Sequence, residues 1–242
     1  MIRDIPADEF EKLSNEAKKR YVVSLLIKEA GSLPVTSGTP IAFVMAGVPG
    51  AGKTEFLDSF NEGITKTGLY NTFVRIDLDQ IVTIYPDYTP KTYAKFRSQG
   101  NNVLARCVDT LRKGRYNMMI DGTFSGTSDA SIRNVQKLLK DRYVVILIYM
   151  YDDAVSAWKY TQFREIETDR GINKDGFIES CENISVNLQE AVKRFRGEPG
   201  FSISVIKQKK LRDKNYELLS DDNEIDKIIE QGYNIDKLKE IL

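Results

Sequence analysis

The chain has 242 residues, enough to bury a core without disulfides or a structural metal, and 41% hydrophobic residues exclude a disordered chain. Lysine plus arginine and aspartate plus glutamate both total 35, so the basic excess of a sequence-independent nucleic-acid binder is missing. Histidine is absent, which removes histidine triads, bases and metal sites and leaves carboxylates, lysines, tyrosines or cysteines as general bases.

The N-terminal MIRDIPADEF carries acidic residues where a secretory signal has its apolar stretch. No apolar run approaches the roughly 20 residues of a bilayer span. Cys107 and Cys181 have neither metal-ligand nor redox-motif spacing. A cytoplasmic location and no membrane contact are the default expectation.

Phe10, Leu13, Ala17, Tyr21 and Leu25 recur at steps of three and four, the period of an amphipathic helix, with Ser14 placed to cap its second half. A Pro/Gly/Ser/Thr linker follows over 31–40, and then the continuous apolar run IAFVMAG (41–47) predicts a strand buried on both faces. Strands are predicted over 72–77, 116–121, 143–151 and 202–210, and helices over 93–113, 129–141, 153–168 and 176–196. A polar loop, DRGINKDG (169–176), separates the last two helices, and a C-terminal helix follows ELLSDDNEIDKIIE. This alternation implies an α/β fold of the P-loop NTPase or kinase type, with a mostly parallel five-stranded sheet flanked by helices. The expected organisation is one domain over 1–242: a helical extension and linker (1–40), a core (41–210) and a helical tail (211–242).

GVPGAGKT (47–54) satisfies GxxxxGK[ST], after a buried-type strand and before a helix-compatible segment. Gly47, Gly50 and Gly52 let successive N–H groups point into one concavity, which binds phosphate oxygens with the helix N-terminus. The expected nucleotide-binding stretch is Gly47, Pro49, Gly50, Ala51, Gly52, Lys53, Thr54 and Glu55, with Lys53 on the β- and γ-phosphates of ATP and the Thr54 hydroxyl on Mg²⁺.

VRIDLD ends the second strand with Asp77 and Asp79, where open α/β sheets bind ligands. Residues two apart on a strand share a face, so one carboxylate can hold Mg²⁺ while the other takes a proton from a substrate hydroxyl. The plain alternative is that both cap the next helix. Asp121 ends the strand of YNMMIDGT at the position of a Walker-B-type acid for metal or substrate, with Thr123 two residues on; Asp-Gly is equally a turn dipeptide. Arg164 and Arg170 flank the start of the polar loop, as phosphate-clamping lid arginines or as solvated surface residues. The basic run KQKKLRDK (207–214) reads as a solvated edge.

These residues together resemble the zeta toxins, the kinase halves of epsilon/zeta-type toxin–antitoxin systems. The likeness runs from about Pro6 to Phe195 through ADEFEKL, TPIAFVMAGVPGAGKTE, VRIDLDQIVTIYPDY, GRYNMMIDGT and REIE…DRGINK. The resemblance implies that Lys53 and Thr54 hold ATP and Mg²⁺, that Asp79 is the general base with Asp77 beside the metal, and that Arg164 and Arg170 clamp the phosphates. It implies Asp121 and Thr123 on the substrate side, an antitoxin protein as a possible partner, and phosphorylation of the 3′-hydroxyl of the amino sugar in UDP-N-acetylglucosamine. The departures fall on the acceptor side, where the family pattern EGT-x-R becomes DGTFS, with Asp121 for glutamate and Ser125 for arginine, and Ala105 replaces a further acid.

Two other readings stay open on the residues alone. One is a P-loop kinase of similar build acting on a nucleic-acid end, a modified base or a nucleotide. The other is a nucleotide-gated switch without an acceptor, which needs a water-orienting group that the sequence does not display.

Overall fold

Ile41–Ala46 (β1) is apolar almost throughout because it lies inside the sheet, with parallel neighbours on both sides. The computed structural model describes residues 4–67, 73–168, 172–208, 216–219 and 221–242. The other strands are β2 (Val74–Asp77), β3 (Met118–Asp121), β4 (Val144–Tyr151), β5 (Phe201–Gln208) and β6 (Tyr216–Leu218). Their order is β2-β3-β1-β4-β5-β6, parallel except for β6, which runs antiparallel to β5. The sheet thus has six strands rather than the expected five. The sixth is three residues long, too short to show a period of two in sequence, and it forms by pairing Leu218 with Ile206 and Tyr216 with Gln208.

Ten α-helices are described: α1 (Ala7–Lys12), α2 (Asn15–Ala30), α3 (Lys53–Lys66), α4 (Leu78–Val82), α5 (Tyr93–Lys113), α6 (Ser128–Lys140), α7 (Ala154–Thr168), α8 (Lys174–Phe195), α9 (Asp222–Gln231) and α10 (Ile235–Ile241). The first predicted helix is two helices. Leu13 is extended, and Ser14 caps α2 by accepting a hydrogen bond from Ala17 N at 3.2 Å. The tail divides in the same way, α9 ending at Gly232 with φ +54° and α10 starting under the Asn234 cap. No helix among the described residues is long and apolar enough to cross a membrane.

Packing places the P-loop helix over one face of the sheet. Phe43 of β1 meets Phe60 of α3 and Phe73 at ring distances of 5.1 and 5.2 Å, and Phe56 of α3 meets Tyr216 of β6 edge-on. The helices α2 and α5 pack against β2, and α8 packs against α6, α9 and α10. The N-terminal extension is part of this core. Phe10 is fully buried and meets Tyr21 of α2 and Tyr85 edge-on, each at 5.8 Å.

Both cysteines lie in that interior, Cys107 on α5 and Cys181 on α8, each 0% exposed. Burial pushes both thiols up to about 12, which removes the thiolate that reactivity requires. Neither thiol should react with an aromatic disulfide reagent near neutral pH in the native protein, and both should react once denaturant unfolds it. Spectrophotometric thiol counting checks this, and rapid native labelling would contradict the packing.

Candidate active site

The P-loop leaves the end of β1 and is held from three sides. Gly47 N donates to Thr123 O at 3.2 Å, joining the loop to the segment that follows β3. Gly50 has φ +85°, and a Cβ there would lie 2.3 Å from Ala157 O on α7. Gly52 has φ +80°, and its Cβ would meet the Gln208 carboxamide oxygen at 2.5 Å, at the end of β5. Ala51 between these glycines is buried, and its N–H is bonded to Val48 O at 3.1 Å.

Lys53, the first residue of α3, folds back over the loop and donates to Gly47 O at 2.8 Å and Val48 O at 2.9 Å. Burial lowers its pKa to about 8; the Asp121, Asp79 and Glu55 carboxylates act in the opposite direction, and the Arg164 cation adds to the lowering. Thr54 is exposed, and its hydroxyl makes no hydrogen bond among the described residues. Glu55 accepts a hydrogen bond from Tyr160 of α7, a second tie between that helix and the P-loop helix.

The strand-alternation argument holds for Asp77 and fails for Asp79. β2 ends at Asp77, whose Oδ1 accepts the Asp79 N–H at 2.8 Å and so caps α4. Asp79 lies in the first turn of α4 instead of on the strand, because the capped turn begins immediately. The two still share one site. Burial first, then the Asp121 and Asp79 carboxylates, hold Asp77 well above the usual carboxylate range. Asp79 Oδ2 is 3.3 Å from Arg164 Nη2, so α7 brings the expected lid arginine onto the expected base. Arg170 lies outside the described residues, as does most of the basic run; Lys207 pairs with Glu224 at 2.7 Å.

Asp121 lies opposite Asp77 in the β2–β3 register and is 8% exposed. Its Oδ2 pairs with Arg75 Nη2 at 2.6 Å, and Arg75 Nη1 reaches Asp58 of α3 at 2.7 Å. Thr123 and Ser125 share a hydroxyl–hydroxyl hydrogen bond of 2.5 Å. Phe124 between them has φ +58°, in the left-handed region, and buried Asn187 of α8 donates to Phe124 O at 2.7 Å and Gly126 O at 3.0 Å. Ala105 is exposed on α5.

Sequence reasoning overlooked Arg75, Asn187 and Tyr160. Arg75 carried one usable signal, a charged residue inside an otherwise apolar strand and two before Asp77. Asn187 and Tyr160 carried none, because polar residues on amphipathic helices are ordinary.

A family model described as Zeta toxin matches residues 27–217. Among solved structures, one from the PezAT chromosomal toxin–antitoxin system of Streptococcus pneumoniae is similar, with a TM-score of 0.66 and 19% identity over 96% of this chain and 90% of that one. The AvrRxo1-ORF1:AvrRxo1-ORF2 structure with ATP has a TM-score of 0.62 and 16% identity over 95% of this chain and 79% of that one. No curated protein matched the chain.

The Asn187 bonds give a stability prediction. Asn187→Leu leaves two carbonyls without their donor and releases a left-handed phenylalanine, costing about 2 to 3 kcal/mol. Chemical denaturation should show that loss, whereas a change within about 0.5 kcal/mol would mean the loop holds itself.

Proposed function

Because the chain belongs to the zeta toxin family, we propose that it is an ATP-dependent phosphotransferase acting on a hydroxyl of a small nucleotide-linked acceptor. The observation that carries this reading is the convergence of Lys53, Asp79 and Arg164 at one end of the sheet, with Arg164 on Asp79 and both charges acting on Lys53. In the transfer, the acceptor oxygen forms a bond to the γ-phosphorus as the bond to the β,γ-bridging oxygen breaks. The acceptor proton passes to the Asp79 carboxylate, which pairs with Arg164 until substrate arrives.

Nucleotide phosphates displace the Gly47 and Val48 carbonyls from Lys53 and take up N–H groups of the loop and of the first turn of α3. Arg164, and Arg170 with it, supplies planar cationic donors to the transferring group. Thr54 and Asp77 would hold Mg²⁺: one offers an unengaged hydroxyl, the other a carboxylate oxygen whose nearest cation, Arg75 Nη2, is 3.8 Å away. Among the described residues no three His, Cys, Asp or Glu side chains group to hold a metal ion. When bound, Mg²⁺ neutralises charge on the β- and γ-phosphates.

Asp121 and Thr123 face the acceptor in this reading. The amino sugar of UDP-N-acetylglucosamine is the acceptor the family suggests, but Ser125 is bonded to Thr123 and Ala105 offers no carboxylate. A related hydroxyl compound is the better fit. The similar PezAT structure comes from a toxin–antitoxin system, and an inhibitory antitoxin protein is part of the same proposal.

With γ-labelled ATP and a metabolite extract, Lys53→Ala should lower transfer by roughly two to three orders of magnitude, since a fixed cation on the transferring phosphoryl is lost. Asp79→Asn should abolish transfer while ATP affinity stays within a few-fold. Normal turnover in either variant would sink the reading. UDP-N-acetylglucosamine itself should be phosphorylated slowly, and Ala105→Glu, Asp121→Glu and Ser125→Arg together should raise that rate. Fast phosphorylation by the unmodified protein would overturn this acceptor assignment.

A further inference from the structure

In-register residues of parallel strands present their side chains to one face, so Asp77 and Asp121 sit roughly 4.8 Å apart between strands β2 and β3. Two carboxylates facing one side at adjacent strand positions repel each other unless a cation lies between them. Arg75 is that cation. It lies two residues before Asp77 on the same face, with Nη2 at 2.6 Å from Asp121 Oδ2 and 3.8 Å from Asp77 Oδ2. Its other nitrogen is anchored on Asp58 of α3 at 2.7 Å, and its Nε is buried without a partner among the described residues.

A divalent ion bridging Asp77 and Asp121 would have to occupy the place the guanidinium holds. The guanidinium cannot be deprotonated, is planar, and is tied from behind by Asp58, so it is not displaced as a water would be. Asp77 Oδ1 is already spent on the Asp79 N–H. One Asp77 oxygen therefore remains for metal, and the Asp121 oxygen on that side, Oδ2, is taken by Arg75.

We propose that Arg75 is a positioning residue, an internal cation that withholds Asp121 from the metal and so reserves it for the acceptor side. The metal half of this stands on geometry alone; the acceptor half rests on the phosphotransferase reading above.

The test is a Mn²⁺ titration of nucleotide-free protein followed by electron paramagnetic resonance, which needs neither ATP nor acceptor. Binding to the unmodified protein should be weak. Arg75→Gln frees both carboxylates and should tighten Mn²⁺ binding about tenfold or more, because divalent affinity follows the number of charged oxygen ligands. Arg75→Gln with Asp121→Asn should return it to the unmodified level. Unchanged affinity in Arg75→Gln, or tight binding that survives the loss of Asp121, overturns the proposal. If circular dichroism shows that Arg75→Gln does not fold, Arg75→Lys decides, since an ammonium spans fewer carboxylates than the planar fork. A tightening of about threefold or more supports the proposal and no change overturns it. A failure here leaves the Lys53 and Asp79 predictions untouched, and their failure leaves this one standing.

Discussion

At Gly50 the backbone of α7 comes so close to the P-loop that Ala157 O would lie 2.3 Å from any Cβ. The curl of the loop and the placement of the helix are thus one constraint, and a side chain at position 50 would have to separate them. Arg164 lies about two turns further along α7, so its reach to Asp79 follows from where Gly50 lets that helix sit. Tyr160, bonded to Glu55, locks the same pair of helices between these two points. On the opposite flank Gln208 closes over Gly52, which ties the end of β5 to the start of α3.

Each charged group of the site has a partner inside the protein. Lys53 rests on two carbonyls, Asp79 on Arg164, Asp121 on Arg75. Half-buried charges need such partners, because desolvation without them costs several kcal/mol. In the proposed reaction substrates would enter this arrangement by exchanging partners rather than by meeting bare charges. The exchanges differ in kind. In the proposed reaction Lys53 would give up neutral acceptors for phosphate, a clear gain, while Asp79 would part from a cation before taking a proton. Arg75 is held from two elements at once and is the group least free to exchange.

Much of this could be read from the residues because the relevant signals are local. The P-loop spacing, the apolar run before it and the strand–helix alternation are contiguous patterns, and the parallel sheet follows from them. The misses share one cause, which is distance along the chain. Arg75 finds its anions 17 residues away at Asp58 and 46 away at Asp121, and Asn187 finds its carbonyls 63 and 61 residues back. No periodicity marks such pairs. Asp79 shows a subtler limit: both the strand and the helix-cap readings of VRIDLD were partly right. Asp77 is at once the last strand residue and the cap, and the change of element between the two aspartates alters the geometry without separating them.

Phe10 joins the extension before β1 to the element that bears Asp79. Its ring is sealed between Tyr21 of α2 and Tyr85, which follows α4, while Asp4 fastens that end of the chain by accepting from the Tyr21 hydroxyl at 2.6 Å and pairing with Lys28 at 2.8 Å. The segment matched by the family model starts at residue 27, beyond Phe10 and most of α2. A fragment cut to the limits of that match would keep Lys53, Asp79 and Arg164 and still strip the ring that Tyr85 meets edge-on. For this chain the boundary of sequence likeness and the boundary of mechanical support do not coincide, and an expressed fragment has to respect the second.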